Sequence, residues 1–230
     1  MDDQLWVGVR ERVEALAGVP TQAGRHPVFG PGGHGFRLDP VLSPAAVVEV
    51  EARIGVELPQ EYRTFLLQVG AGGAGPAYGL YPAQLKPGYP LWSGHNADTA
   101  DYSRLAEAFP ATPLDPTALR TLLARCPPEE DDRDPDYLAF LDRWNEVMWG
   151  PHRTVGAIPL CSLGDGREQW LVLSGPERGR IWNDDRADHG DLTPAPDGSG
   201  GTVTFARWYL DWLDSTEQRL SSVRDQVPDF

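Results

Sequence analysis

Residues 58–82, LPQEYRTFLLQVGAGGAGPAYGLYP, contain the pattern that decides the fold. Pro59 suits the first turn of a helix, because its missing N–H would have no partner there. The apolar residues that follow recur at helical spacing and predict one buried face, formed by Tyr62, Phe65, Leu66 and Val69. Gly70 stands where a left-handed residue commonly ends a helix, and residues 78–81 are typical of a strand. The segment therefore predicts a helix, a glycine-rich loop and a strand.

A second helix is predicted directly before this segment. Ser43 is a favourable helix cap, and Pro44 fits the first helical position. An apolar stripe follows at steps of three and four, and Gly55 is suited to end the helix. The two predicted helices therefore form a pair joined by a tight turn.

The order of these pieces resembles the SUKH superfamily, which includes bacterial toxin-immunity proteins and relatives of a yeast regulator of cell-wall synthesis. The resemblance is specific over residues 28–92 and weaker over 155–213. It is carried by Glu51, Gly55, Leu58, Pro59, Tyr62, Phe65, Gly72, Gly73, Trp208 and Trp212. We expect Glu51 to have a structural role, in which its carboxylate accepts backbone N–H groups of the next turn or pairs with an arginine.

The remaining elements are predicted from periodicity and turn signals. The other predicted helices cover residues 3–17, 102–109, 116–125, 135–149 and 204–220. The other predicted strands cover residues 36–38, 157–160, 169–173 and 180–182. We therefore predict an α+β fold: a mixed, mainly antiparallel sheet of about five or six strands packed by helices.

We interpret the chain, residues 1–230, as a single domain of this superfamily. Its core would comprise residues 28–92 and 155–220, preceded by an N-terminal helix at 3–17. Residues 93–150 would form a helical insertion, because their apolar residues are too few to close a core alone.

The net charge of −14 restricts the partners that the protein can bind. Binding to a nucleic-acid backbone requires clustered Lys and Arg, so we expect no nucleic acid. An acidic surface instead favours a basic protein partner.

No apolar run reaches the ~18–20 residues of a membrane helix, and the N-terminal residues are acidic where a signal peptide is basic. We expect a cytoplasmic bacterial protein without membrane contact.

Two kinds of residue are candidates for a protein-contact surface. Acidic loops supply the first kind: Glu129, Glu130, Asp131 and Asp132 in one run, and Asp184 and Asp185 in another. Aromatic residues in loops or at strand ends supply the second kind, Trp92 and Trp182. We predict that these side chains are exposed and contact the partner.

A carboxylate-rich segment offers an alternative, enzymatic interpretation. Carboxylates and an imidazole can hold a divalent metal, and they occur together as Asp184, Asp185, Asp188, His189 and Asp191. The spacing matches no calcium loop, and Asp and Asn are also common in turns. No cofactor is predicted, because the glycines at 70–75 follow a helix, whereas a dinucleotide-binding loop follows a strand.

Three functional hypotheses remain open at this point. By resemblance, the first is a non-catalytic immunity protein that neutralises a basic toxin, such as a nuclease, by occlusion. The second is a housekeeping interaction scaffold of the same superfamily. The third is a metal-dependent hydrolase that uses Asp184, Asp185, Asp188 and His189.

Overall fold

A computed structural model describes residues 4–17, 34–86, 91–92, 100–128 and 133–224. The fold is α+β, as predicted, with a four-stranded antiparallel sheet and helices packed on it. The α-helices within the described residues are α1 Val9–Leu16, α2 Pro44–Ile54, α3 Gln60–Gln68, α4 Pro116–Leu123, α5 Pro135–Met148 and α6 Phe205–Arg224. None of them combines the length and apolar character that a membrane-spanning helix needs.

The sheet is an antiparallel meander, in which each strand pairs with the next strand along the chain. Its strands are β1 Ala157–Gly164, β2 Arg167–Val172, β3 Ile181–Asp184 and β4 Leu192–Pro194, in the order β1-β2-β3-β4. A tight turn at 164–166 joins β1 to β2, as its Gly-Asp-Gly sequence predicts. Cross-strand pairs fix the register, for example Trp170 opposite Trp182.

The sheet has fewer strands than the predicted five or six. The segments 36–38 and 78–81 make only isolated bridges, which run from Leu38 to Gly73, from Gly73 to Leu80 and from Leu80 to Cys161. Positive φ angles interrupt both segments, 56° at Phe36 and 93° at Gly79. An extended strand needs negative φ, so neither segment forms a continuous strand. They are linked to the edge strand β1 through single-residue bridges only.

Both faces of the sheet are covered. Alternate side chains of β2 point to opposite faces, so Leu171 joins the main core and Trp170 joins a second cluster. The main core contains an aromatic group from α3 and α6, in which Phe65 lies 5.2 Å from Phe205 and 4.7 Å from Tyr209 between ring centroids. The second cluster packs Phe109 against Trp182 at 4.9 Å.

The local signals around α2 are confirmed. The Ser43 hydroxyl accepts the N–H of Ala46 at 3.1 Å, and Gly55 ends the helix in a left-handed conformation with φ of 69°. Glu51 has the structural role expected of it. Its carboxylate accepts the backbone N–H of Leu58 at 3.0 Å and the guanidinium of Arg63 at 3.1 Å, and so ties α2 to the start of α3.

Gly70 does not have the predicted left-handed conformation. The residue that caps the C-terminal end of α3 is Val69, and its backbone angles are helical. Gly70 is needed for close packing, since a Cβ there would lie 3.0 Å from the carbonyl oxygen of Asp39. The glycine that requires positive φ is Gly73, at 91°. The loop glycines therefore permit close approach of the backbone as well as unusual conformation.

Ala100 and Phe109 pack on the second face of the sheet, in the cluster that contains Trp170 and Trp182. The helix predicted at 102–109 is wrong, because only a short 3-10 turn forms at Tyr102–Arg104. The helices predicted at 116–125 and 135–149 are confirmed as α4 and α5. These two helices share a small apolar cluster around Trp144 and Met148.

Candidate protein-interaction surface

The two tryptophans predicted at the contact surface are core residues instead. Trp92 is fully buried, and its indole N–H donates to the hydroxyl of Tyr62 at 2.7 Å. Trp182 is also buried, beneath Phe109 and opposite Trp170. Their exposure was predicted wrongly, because burial beneath residues distant in the chain cannot be deduced from local spacing.

Asp184 is also wrongly predicted as a surface residue. It is buried at the end of β3, where its carboxylate accepts two N–H groups of Arg186 at 2.8 and 2.6 Å. The indole N–H of Trp170 donates to the same carboxylate at 3.1 Å. These donors satisfy a buried charge, so Asp184 stabilises the fold.

The acidic run Glu129, Glu130, Asp131 and Asp132 lies outside the described residues. Its role at a contact surface remains a prediction. Asp185 lies within the described residues and is partly exposed.

The carboxylates of the predicted metal cluster do not converge on one point. Asp184 binds Arg186, whereas Asp191 is buried against Arg153 and accepts the backbone N–H of Leu114. The ring of His189 packs on Trp144 at 5.8 Å. Among the described residues, no three or more His, Cys, Asp or Glu side chains are arranged to hold a metal ion. Because arginines occupy two of its carboxylates, this segment does not support the hydrolase hypothesis.

One end of the sheet presents exposed carboxylates together with exposed aromatic rings. We call this surface the acidic sheet end and define it by Tyr78, Trp149, Asp165, Asp185 and Asp188. Tyr78 and Trp149 are large aromatic side chains that are 47% and 41% exposed. Asp165 and Asp188 are exposed, and Asp185 is partly exposed.

Contacts along the backbone join these residues into one surface. At the turn between β1 and β2, a Cβ on Gly164 would lie 3.2 Å from the Tyr78 ring. At the same turn, a Cβ on Gly166 would lie 2.8 Å from the Cβ of Ala187. The turn that carries Asp165 therefore lies between Tyr78 and the 3-10 turn Arg186–Asp188.

Arg186 connects this surface to the buried part of the protein. Its guanidinium carbon lies 4.4 Å from the ring centroid of Trp149, and its Nη1 donates to the carbonyl of Met148 at 2.7 Å. Arg186 itself is buried. One face of Trp149 is therefore held by a fixed cation, so the ring is positioned before any partner arrives.

Asp185 lies in an unfavourable electrostatic environment for a charged carboxylate. Partial burial raises the pKa of Asp185 above its ordinary value, and the charges of Asp184 and Asp188 raise it further. The positive charge of Arg167 lowers that pKa. Such perturbed groups are common at functional sites, where the environment is arranged for a ligand and not for stability.

We expect Asp185→Asn to stabilise the folded protein at pH 7. A raised pKa means that the folded state binds this proton more tightly than the unfolded state, so stability falls as pH rises through the raised pKa. The penalty applies where the unfolded group is ionised, and it disappears as pH falls below the ordinary Asp pKa of about 3.9, where the group is protonated in both states. Melting temperatures of both proteins, measured at pH 7 and pH 3.5, should therefore differ more at pH 7. A lower melting temperature for the variant at pH 7 would contradict this assignment.

Sequence reasoning did not identify the aromatic members of this surface. The sequence pattern places Tyr78 in a strand and makes Trp149 the last residue of the helix predicted at 135–149. One feature of the sequence could have indicated that Trp149 is exposed. It lies at the end of the helical pattern, directly before Gly150, where a side chain no longer belongs to the buried face of the helix.

Comparison with known proteins adds a family assignment. The model of the SMI1 / KNR4 family (SUKH-1) matches residues 42–194, a range that includes α2, α3, the whole sheet and every member of the acidic sheet end. No curated protein and no solved structure matches the chain.

Proposed function

We propose, because the chain belongs to the SMI1/KNR4 family (SUKH-1), that it is a non-catalytic protein-binding module that neutralises a basic toxin by occlusion. Family membership supports a protein-interaction role in general. The observation that carries the finer proposal is the acidic sheet end, which combines three exposed or partly exposed carboxylates with two exposed aromatic rings.

The chemistry of this surface fits a basic protein. Asp165, Asp185 and Asp188 offer carboxylates to lysine or arginine side chains, and such charge complementarity accelerates encounter and selects partners. Trp149 offers a preorganised aromatic anchor, the residue type that most often dominates binding energy. A basic group of the partner beside Asp185 would also offset the burial and the neighbouring acidic charges that raise its pKa.

A nuclease-type toxin is a suitable partner on physical grounds. Enzymes that hold a nucleic-acid backbone need clustered Lys and Arg, and an acidic surface can occupy those side chains in place of phosphates. The inhibitor then acts by covering the substrate site, and no bond is made or broken. The same charge argues against nucleic acid as a partner of this chain.

The arrangement of the buried acids is consistent with a binding role. Asp184 and Asp191, which a hydrolase would need as metal ligands, are each neutralised by an arginine. Their removal from solvent leaves the exposed carboxylates of the sheet end for contact with a partner.

The test is capture of the partner, followed by a growth assay. The tagged full chain, incubated with lysate of its native host in rising salt, should retain one basic protein whose binding weakens as salt increases. Expression of that protein alone should stop growth, and co-expression of this chain should restore it. A captured basic protein that is harmless when expressed would contradict the immunity function and favour the scaffold hypothesis. Failure to capture any basic protein would contradict both.

A further inference from the structure

An open groove lies between the two helices α4 and α5. Its volume is about 520 Å³, within the range of sites that bind ligands or side chains of partners. It is lined by Leu114, Asp115, Thr117, Ala118, Leu119, Thr121, Leu122, Arg125, Arg143 and Val147. None of these residues belongs to the acidic sheet end.

The floor of the groove is apolar and only partly covered. In the cluster between α4 and α5, the buried residues are Leu122, Trp144 and Met148. Five more apolar residues stay partly buried against them: Leu114, Leu119, Leu123, Phe140 and Val147. The groove between α4 and α5 is open, and an amphipathic third helix is the element that commonly fills a groove between two helices.

The charges at the rim are unevenly distributed. Arg125 is exposed just after the end of α4, and Arg143 is exposed on α5. Arg143 also pairs with Glu146, but both side chains are mostly exposed, at 58% and 69%, so this pair is weak. Asp115 lies at the opposite end of α4, where its carboxylate already accepts the N–H of Thr117 at 3.1 Å. The end of the groove at Arg125 is therefore the one that favours carboxylates.

We propose that this groove binds one amphipathic helix of a second protein. The apolar stripe of that helix packs on Leu119, Leu122 and Val147, and its carboxylates pair with Arg125 and Arg143. The chain would then have two docking surfaces of different chemistry, the acidic sheet end for a basic protein and this groove for an acidic helix.

The probes are three designed, fluorescently labelled peptides of fifteen residues. The first carries a leucine stripe at helical spacing with flanking glutamates, the second carries the same stripe with lysines, and the third has the glutamates with the stripe replaced by serines. Fluorescence anisotropy with the full chain should show saturable binding of the first peptide, at least about tenfold tighter than that of the third. Because the chain has a net charge of −14, tight binding of an acidic peptide requires a specific site.

Charge reversal at the rim provides the decisive comparison. The double variant Arg125→Glu, Arg143→Glu should lose at least about tenfold in affinity for the glutamate peptide and gain affinity for the lysine peptide. The matched control is Arg53→Glu, Arg207→Glu, which changes two exposed arginines of α2 and α6 by the same total charge and should leave the glutamate peptide unaffected.

A second variant tests whether the peptide occupies the apolar groove, and it does so without changing the charge of the chain. Ala118→Trp fills the groove from α4 and should abolish binding of the glutamate peptide, with the melting temperature as a check that the chain is folded. Three results would overturn the proposal: no binding of the glutamate peptide, equal loss in the rim variant and the control, or a dimer of this chain that dissociates in the rim variant. The last result would assign the groove to a second copy.

Discussion

Replacing Arg186 with alanine is expected to lower the free energy of unfolding by about 3–5 kcal/mol, because it leaves a buried carboxylate without its cation. The Arg186 and Asp184 side chains are each only 4% exposed. Their guanidinium–carboxylate contact uses both oxygens of Asp184, and Nη1 of Arg186 also binds the carbonyl of Met148 at the end of α5. The substitution therefore also loosens the attachment of α5 to the sheet. Urea unfolding monitored by tryptophan fluorescence measures the change.

Two further variants separate the buried charge from general loss of packing. Arg207→Ala removes an arginine from an exposed pair on α6, in which both side chains are 62% exposed, and should cost less than about 1 kcal/mol. Asp184→Asn combined with Arg186→Met removes both charges and should recover much of the stability lost in Arg186→Ala. If Arg186→Ala costs no more than Arg207→Ala, the buried pair does not have the role assigned to it.

Gly73→Ala is expected to cost roughly 2–5 kcal/mol, the second large effect, from backbone strain and overpacking together. Gly73 has φ of 91°, and a Cβ there would lie 2.4 Å from the carbonyl oxygen of Arg37. That oxygen already accepts the N–H of Ala74 at 2.7 Å, so it cannot move without breaking the bridge between Leu38 and Gly73. The loss should appear as a lower urea midpoint with an unchanged slope.

Gly200→Ala is the matched control for this prediction. Gly200 has a similar φ of 96°, but a Cβ there would meet nothing within 4 Å. It should cost only the conformational strain, about 1–2 kcal/mol. Equal losses at Gly73 and Gly200 would mean that the glycine loop is not packed as closely as described.

The helical pair was predictable from the sequence because its signals are local. Ser43 and Gly55 define the two ends of α2, and the spacing of Tyr62 and Phe65 defines the buried face of α3. The interruption of the strand predicted at 78–81 was not predictable, since φ of 93° at Gly79 depends on contacts with a distant part of the backbone.

The candidate site was predicted only in its general character. The acidic composition around residues 184–191 indicated a charged surface, and Asp185 does belong to it. Which carboxylates are exposed could not be predicted, because the arginines that bury Asp184 and Asp191 act through tertiary contacts. Trp149 is exposed at this surface, and Arg186, thirty-seven positions later, packs on its ring.

The acidic sheet end is the surface that we propose holds a basic protein partner. The most direct measurement is the Kd of the captured partner, by calorimetry, for the chain and for the triple variant Asp165→Asn, Asp185→Asn, Asp188→Asn. The control variant Glu14→Gln, Glu49→Gln, Asp211→Asn changes the net charge equally through exposed residues of α1, α2 and α6. We predict that the sheet-end variant raises Kd by at least about tenfold and the control by less than about threefold. Equal Kd values for the two variants would contradict the claim.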